Sequence, residues 1–310
     1  MRRLCVALVA LAIVVPATAS ADHPFGNIPW PNRLPSRPGV SGPADPSTPC
    51  SPAAPSCVDG VIRQMIRVWR PLDDVCDHRA VFALTYLMTT QGFRRYLSDV
   101  RGSPFFADEP AVIQLDRTFA NLYFDAVSRY RSGSAPPAWR IAFDAARSGR
   151  TNAVQDIFLG MNAHIQRDLP VALSSVGLVD AHGVSRKPDH DRVNDILSAV
   201  LDDIENELAA RYDPMIRLAD ASPSPADEEG ALETLKSWRE GAWRNAERLA
   251  LARSDAERAS VMAQIEAVST AWARIIEAAD FSWYAPTRDA YCLKRSLSRP
   301  PGGTKNANSA

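Results

Sequence analysis

The amino-acid sequence predicts an all-α protein, a single bundle-like domain of many helices that follows a disordered, proline-rich N-terminal leader. Apolar residues recur at spacings of three and four through most of the chain, which is the period of an amphipathic helix. No segment alternates polar and apolar residues convincingly, as a half-buried strand does. Proline, glycine and serine fall between the apolar segments, where helices end.

The first 21 residues are typical of a secretory signal. Arg2 and Arg3 precede a short apolar run, and Ala19-Ser20-Ala21 supplies the small residues expected before a cleavage point. We therefore expect residues 1–21 to be removed and the mature protein to be secreted or extracytoplasmic.

The composition of the remaining chain predicts its domain organisation. Residues 22–56 hold 10 of the 24 prolines and are predicted to form an extended or disordered leader. Residues 298–310 form a similar polar tail. The stretch between them, residues 57–297, is long enough for one sizeable helical domain.

Charge and hydropathy argue against a nucleic-acid partner and against a transmembrane segment. The chain carries 35 Lys and Arg against 36 Asp and Glu, for a net charge of −1 at pH 7, so no basic surplus indicates a nucleic-acid partner. The apolar run of the signal is too short to span a membrane, and no later run is long enough. Whether the partner is a small molecule or a component of the cell envelope does not follow from the sequence.

In the first half of the domain, helix boundaries are predicted at prolines and at capping aspartates. Four helices are expected: 58–70, ended by Pro71; a second capped by Asp73 or Asp74 and running toward Tyr96; 110–130; and one opened by Pro136-Pro137.

The second half begins with a central helix from about Asn152 to Arg167, which is predicted to stop near Pro170 because a residue before proline disfavours helical geometry. A loop is expected from Gly177 to Lys187. Later helices are predicted from Pro188, over 228–252 and over 255–279, with a Pro/Ser break at 222–226.

The cysteines predict a disulfide framework. Removal of the signal leaves Cys50, Cys57, Cys76 and Cys292, and an even count in an exported protein favours two disulfides with three possible pairings. A helix of about 20 Å separates Cys57 from Cys76, whereas a disulfide needs Cα atoms within about 7 Å. We therefore favour Cys50–Cys57 with Cys76–Cys292. A metal site of four cysteines is the alternative, but the Cys-x-x-Cys spacing is missing.

The segment from Gly160 to Pro170 carries the best candidate site. His164 and Asp168 are four residues apart in an apolar helical stretch, so their side chains share one helix face. An imidazole and a carboxylate are buried together only when they pair, bond to other groups or hold a metal. A structural pair and a functional pair fit the sequence about equally well.

Two further histidines lie beside acidic residues at predicted helix starts. Helix bundles build metal sites from inward-facing His, Asp and Glu side chains, and His78, His164, Asp168 and His190 form a plausible ligand set for zinc. Asp168 is also the predicted catalytic residue. The alternative for His78 and His190 is a capping cluster at a helix start.

Several segments together resemble the exported bacterial family known as domain of unknown function five-nine-nine-five. They are Cys76 to Leu87, Pro137 to Arg140, Gly160 to Pro170, Ser185 to Asp191 and Trp243 to Arg248. The resemblance covers most of residues 57–292. It implies a helical, exported domain and supplies no established activity.

A weaker resemblance is to the fold of zinc-dependent phospholipase C and single-strand nucleases. That fold uses His-x-x-x-Asp on a helix as zinc ligands, and His164 and Asp168 match this element. The chain departs from the pattern because no histidine occurs between Leu169 and Leu173 and no later His-x-x-x-Glu is present. The resemblance implies at most a reduced, mononuclear site.

These observations lead to two hypotheses of function. The first is a metal-dependent hydrolase of phosphoesters or lipids, with zinc as the expected cofactor. The second is a non-catalytic helical module that binds a ligand or serves a structural role in the cell envelope.

Overall fold

In the computed structural model of the chain, residues 52–217 and 226–297 are described. Over these residues the protein is all-α, as predicted, and no strand forms; Val179 and Ser185 make an isolated antiparallel bridge. No helix in this part of the chain is long and apolar enough to cross a membrane. The predicted signal, the leader before residue 52, the break at 222–225 and the polar tail lie outside the described residues.

The helices follow the predicted order closely. They are α1 (Pro55–Asp73), α2 (Arg79–Arg94), α3 (Ser98–Arg101), α4 (Glu109–Arg131), α5 (Pro137–Ser148), α6 (Ala153–Met161), a π-helical segment (Asn162–Asp168), α7 (Leu169–Val176), α8 (Lys187–Arg211), α9 (Ala226–Leu251), α10 (Asp255–Glu277) and α11 (Ala285–Leu297).

The boundary between α1 and α2 differs from the prediction. Pro71 does not end α1: the helix continues for two more residues to Asp73, and Asp74 still donates to the Arg70 carbonyl at 3.0 Å. The prediction that Asp73 or Asp74 caps α2 is wrong. Asp73 instead accepts a hydrogen bond of 2.6 Å from the Tyr212 hydroxyl, and Asp77 accepts from the amide of Arg79 at the start of α2.

The predicted end of the central helix near Pro170 is also wrong. The helical path widens to π geometry over Asn162–Asp168, and α7 then begins with Pro170 in its first turn. Proline is tolerated there because the first amides of a helix have no intrahelical acceptor. The chain therefore stays helical through Pro170. α6, the π-helical segment and α7 follow one another without a break.

The core lies around α2, which packs against α1, α6 and α8. Trp139 and Trp243 are fully buried, and most apolar side chains of α2 join the same cluster. Gly160 at the end of α6 permits the closest of these contacts. A Cβ added there would lie 2.3 Å from Cγ and Cδ2 of Phe82, so only glycine lets that ring lie against the helix.

A disulfide joins the start of the domain to its last helix. Cys76 and Cys292 are bonded, with their Cα atoms 6.0 Å apart, which confirms the predicted pairing. Cys57 is also disulfide-bonded. The predicted pair Cys50–Cys57 stays a prediction because Cys50 lies outside the described residues.

Replacement of Gly160 tests the close approach of Phe82. We expect Gly160→Ala to reduce the free energy of unfolding by about 1–3 kcal/mol, the usual cost of overpacking a core. Urea unfolding measures this. The control is Gly241→Ala inside α9, where an added Cβ meets no atom within 4 Å and should be neutral or slightly stabilising. Equal effects of the two substitutions would contradict the packing described.

Candidate functional site

The candidate site is built on the π-helical segment, which carries both His164 and Asp168. In this segment the amide of Leu169 bonds to the carbonyl of His164, five residues earlier. π-Helical turns are rare, and they occur frequently at functional sites. The wider turn keeps the two side chains together, with Nδ1 of His164 3.4 Å from Oδ2 of Asp168.

Asp168 is completely buried, and three side chains surround its carboxylate. The indole Nε1 of Trp139 donates to Oδ2 at 2.8 Å, and Nη1 of Arg167 donates to Oδ1 at 2.6 Å. Arg167 in turn binds Glu266 through Nε at 2.7 Å. The buried charge of Asp168 is therefore compensated, as burial of a carboxylate requires.

The ring of His164 is enclosed by aromatic side chains. Phe119 stacks on it with ring centroids 3.4 Å apart, and the ring of Tyr86 meets it edge-on at 4.4 Å. Burial lowers the pKa of His164, while the hydrogen bond and charge of Asp168 act in the opposite direction. The imidazole is therefore neutral near pH 7. Because a carboxylate only accepts hydrogen bonds, the proton lies on Nδ1.

Four buried polar atoms in this region have no hydrogen-bond partner within the described part of the chain. They are Nε2 of His164, the hydroxyls of Tyr86 and Thr90, and Oδ2 of Asp116. Tyr86 and Thr90 are one turn apart on α2, and Asp116 is one turn before Phe119 on α4. These spacings place them on the faces that meet His164. Buried polar groups without partners are uncommon in native proteins and often mark functional positions.

Asp116 is a site residue that the sequence analysis missed. Burial raises its pKa to about 7, and the nearby Arg117 guanidinium counteracts only part of this effect. Burial and the charges of Asp116 and Asp168 raise the pKa of Tyr86 well above its ordinary value. The available signal was a carboxylate three residues before Phe119 and seven before Tyr123, on an otherwise apolar helix face.

His78 lies in a separate network at the start of α2. Nη1 of Arg288 donates to its Nδ1 at 2.8 Å, and its Nε2 donates to Asp289 at 2.8 Å. Arg288 also donates to Asp156 at 2.7 Å. An ion pair as well as the disulfide therefore connects α11 to the rest of the domain. Both ring nitrogens of His78 are engaged, which favours a structural role.

His190 lies in a third network, near the start of α8. Its Nδ1 is 3.0 Å from Asp191, and Lys187 donates to the same carboxylate at 2.8 and 3.0 Å. Burial and the neighbouring Arg239 lower the pKa of His190 to about 4, and the hydrogen bond with Asp191 opposes this. Arg239 and Lys187 are both positively charged and close to the imidazole, so they disfavour its protonation.

The structure thus brings together only two of the four predicted ligands, His164 and Asp168. His78 and His190 have other partners in networks of their own. Within residues 52–217 and 226–297, no group of three or more His, Cys, Asp or Glu side chains is arranged to hold a metal ion. The zinc site of His78, His164, Asp168 and His190 stays a prediction.

Removal of the indole donor tests how strongly Asp168 depends on it. Trp139→Phe keeps an aromatic ring but leaves Oδ2 without its closest donor, and we expect a loss of about 1–3 kcal/mol in the free energy of unfolding. Trp238→Phe is the control, because that indole is also buried and Nε1 shows no hydrogen bond among the described residues. Equal losses from urea unfolding of the two variants would show that the indole N–H of Trp139 is unimportant.

The raised pKa of Asp116 predicts a pH effect on stability. The folded state holds this proton up to a pKa of about 7, whereas an unfolded Asp releases it near 3.8. Its contribution to stability is therefore complete below 3.8 and is lost as the pH rises toward 7.

Asp116→Asn removes this dependence, so the variant should gain stability relative to the wild type between pH 5 and pH 8. Urea midpoints at the two pH values measure the gain. Exposed Asp125 on the same helix is the control, and Asp125→Asn should show a smaller change. A difference between wild type and Asp116→Asn that does not vary with pH would contradict the burial of this carboxylate.

Comparisons with known proteins place the chain in a family. No curated protein and no solved structure matches it. The weaker similarity to zinc-dependent phospholipase C and single-strand nucleases thus has no support and stays a prediction. The model of the family of unknown function DUF5995 matches residues 58–279, well over half of the 310 residues. The chain therefore belongs to the DUF5995 family.

Proposed function

We propose that this protein is an extracytoplasmic hydrolase in which His164 is the general base. The observation that carries the proposal is the state of the imidazole: Nδ1 faces Asp168, and Nε2 is buried without a partner. A neutral imidazole with a free Nε2 lone pair can take a proton from water or from a hydroxyl group. The disulfide Cys76–Cys292 is compatible with an oxidising, extracytoplasmic location.

Asp168 has a positioning role in this proposal. Its carboxylate orients the imidazole and fixes the proton on Nδ1, as the acidic member of a catalytic triad does. Trp139 and Arg167 hold the carboxylate in place with hydrogen bonds of 2.8 and 2.6 Å. In this role Asp168 transfers no proton itself.

Asp116 supplies a second group that exchanges protons near neutral pH. Its pKa of about 7 allows both the protonated and the ionised form at physiological pH. Acid and base roles in an enzyme are commonly divided between groups whose pKa values the environment has shifted in this way. In this proposal Asp116 is the acid that protonates the leaving group.

Phosphoesters and lipid esters are the substrate classes we propose. A divalent metal, zinc in this proposal, is the cofactor for the phosphoester class, and it would polarise a substrate oxygen when bound. Nε2 of His164 is the ligand atom that this centre offers, and with a metal bound there a nearby carboxylate would have to act as the general base instead. The carboxylate of Asp168 is less suitable, since Arg167 already binds it at 2.6 Å.

One observation favours a second function, that of a non-catalytic binding or structural module. His164 is only 4% exposed, and Phe119 covers one face of its ring. A centre this enclosed must open before a substrate of any size reaches it. If the centre stays closed, the histidine–aspartate pair serves to fix the core.

The test uses protein purified from the export compartment without chelator. Hydrolysis of p-nitrophenyl esters and of bis(p-nitrophenyl) phosphate is measured beside metal content. We expect His164→Asn to lower turnover about 10²–10⁴-fold, the usual contribution of a general base. Asp168→Asn should lower turnover as well, through the wrong imidazole tautomer. His182→Asn is the control, because His182 lies on an exposed loop.

The outcomes separate the two functions. Turnover that depends on His164 while the melting temperature is kept supports the hydrolase. Bound metal that is lost in the His164 variant supports the zinc cofactor. A wild-type protein without turnover or metal, together with a His164 variant that is merely less stable, would refute the hydrolase and leave the structural module.

A further inference from the structure

A surface with two half-buried aromatic rings lies where the chain passes from α2 to α4. We define it by Tyr96, Val100, Arg101, Phe105 and Arg192, and we call it the Tyr96 surface. The rings of Tyr96 and Phe105 meet edge to face with centroids 4.8 Å apart, and Val100 is 55% exposed. The guanidinium of Arg101 lies 4.6 Å from the ring centre of Tyr96.

One arginine of this surface has free binding capacity. Arg101 is exposed and forms no ion pair with any residue that the structure describes. Arg192 already lies 3.9 Å from the carboxylate of Asp189 and donates to the carbonyl of Phe105, but half of its side chain is in solvent. The surface thus combines aromatic faces with two positive charges.

The N-terminal leader reaches the domain beside this surface. Ala53 and Cys57 pack against the same small apolar cluster as Tyr96 and Phe105, a cluster of Val58, Phe93, Leu97, Phe106, Val112, Ile113 and Ile196. Pro49 precedes Ala53 by four residues, a span of at most about 14 Å. Residues just before position 52 are therefore within reach of the Tyr96 surface.

Within this reach the leader carries a proline-rich segment that suits the Tyr96 surface. Pro43, Pro46 and Pro49 recur at every third residue, the period of a polyproline II helix, so all three prolines fall on one edge. Aromatic-lined surfaces bind this kind of helix because its backbone is already ordered before binding. Asp45 lies between the first two prolines and complements Arg101 and Arg192 in charge.

A second proline-rich stretch of the leader provides a contrast. Pro35 and Pro38 are also three residues apart, but Arg33 and Arg37 accompany them. Those positive charges would be repelled by the arginines of the Tyr96 surface. Charge therefore discriminates between two stretches that share the same proline spacing.

We propose that the Tyr96 surface binds residues 43–49 of the same chain as a polyproline II helix. Proline rings lie on Tyr96 and Phe105, and the carboxylate of Asp45 pairs with Arg101 or Arg192. The leader is then an intramolecular ligand of the domain, and a proline-rich segment of a partner that carries an acidic residue in the same register would compete for this surface.

The experiment places a photoreactive p-benzoylphenylalanine at Val100 in the full chain. Irradiation followed by peptide mass spectrometry should find cross-links to residues 43–49. Pro43, Pro46 and Pro49 together replaced by Ala should abolish these cross-links, and Asp45→Lys should reduce them strongly. The matched control, Pro31, Pro35 and Pro38 together replaced by Ala, should leave them unchanged.

Three outcomes would overturn the proposal. The first is no cross-link between Val100 and the leader. The second is cross-linking that persists after replacement of Pro43, Pro46 and Pro49. The third comes from a mixture of isotopically labelled and unlabelled chains: cross-links only between the two kinds of chain would show that a second copy occupies the surface.

Discussion

The buried carboxylate of Asp168 is the constraint on which the rest of this structure depends. A charge removed from water must be matched by donors; here Arg167 and His164 belong to the same helical segment as Asp168, and Trp139 lies 29 residues earlier in the chain. Trp139 on α5 donates to this carboxylate, and Arg167 connects it to Glu266 on α10. The π-helical turn supplies His164 on the same side. One carboxylate thus explains why α5, α10 and the central helical path meet where they do.

The networks around His78 and His190 also surround buried charges with hydrogen-bond partners. Around His78, Arg288 bonds to the imidazole and to Asp156, so both ring nitrogens are engaged. Around His190, Lys187 and Arg239 balance the acidic side chains, although Nε2 has no partner in the described part of the chain. Around His164, the unpartnered atoms are Nε2 itself, the hydroxyls of Tyr86 and Thr90, and Oδ2 of Asp116. The proposed reactive centre thus differs from the His78 network, in which both ring nitrogens are engaged.

The sequence predicted the fold well and the site only in part. Periodicity and capping residues located α4 and α10 to within two residues, and cysteine counting found Cys76–Cys292. The sequence analysis missed that the chain stays helical after Pro170, because a proline in the first turn of a helix breaks no hydrogen bond. The pair His164 and Asp168 followed from spacing within one helix. Asp116 belongs to another helix, and pairings between helices depend on tertiary packing that no local pattern contains.

The central claim is that burial keeps His164 neutral, while Asp168 fixes its proton on Nδ1 and so leaves Nε2 free. Nitrogen-15 NMR of protein labelled at histidine measures this tautomer directly. Our account predicts a neutral Nδ1–H imidazole for His164 from pH 8 down through 6.5, the ordinary histidine pKa, because burial lowers the pKa of this group. In Asp168→Asn the preference for Nδ1–H should be lost. A proton on Nε2 of His164, or a doubly protonated ring above pH 6.5, would contradict the account.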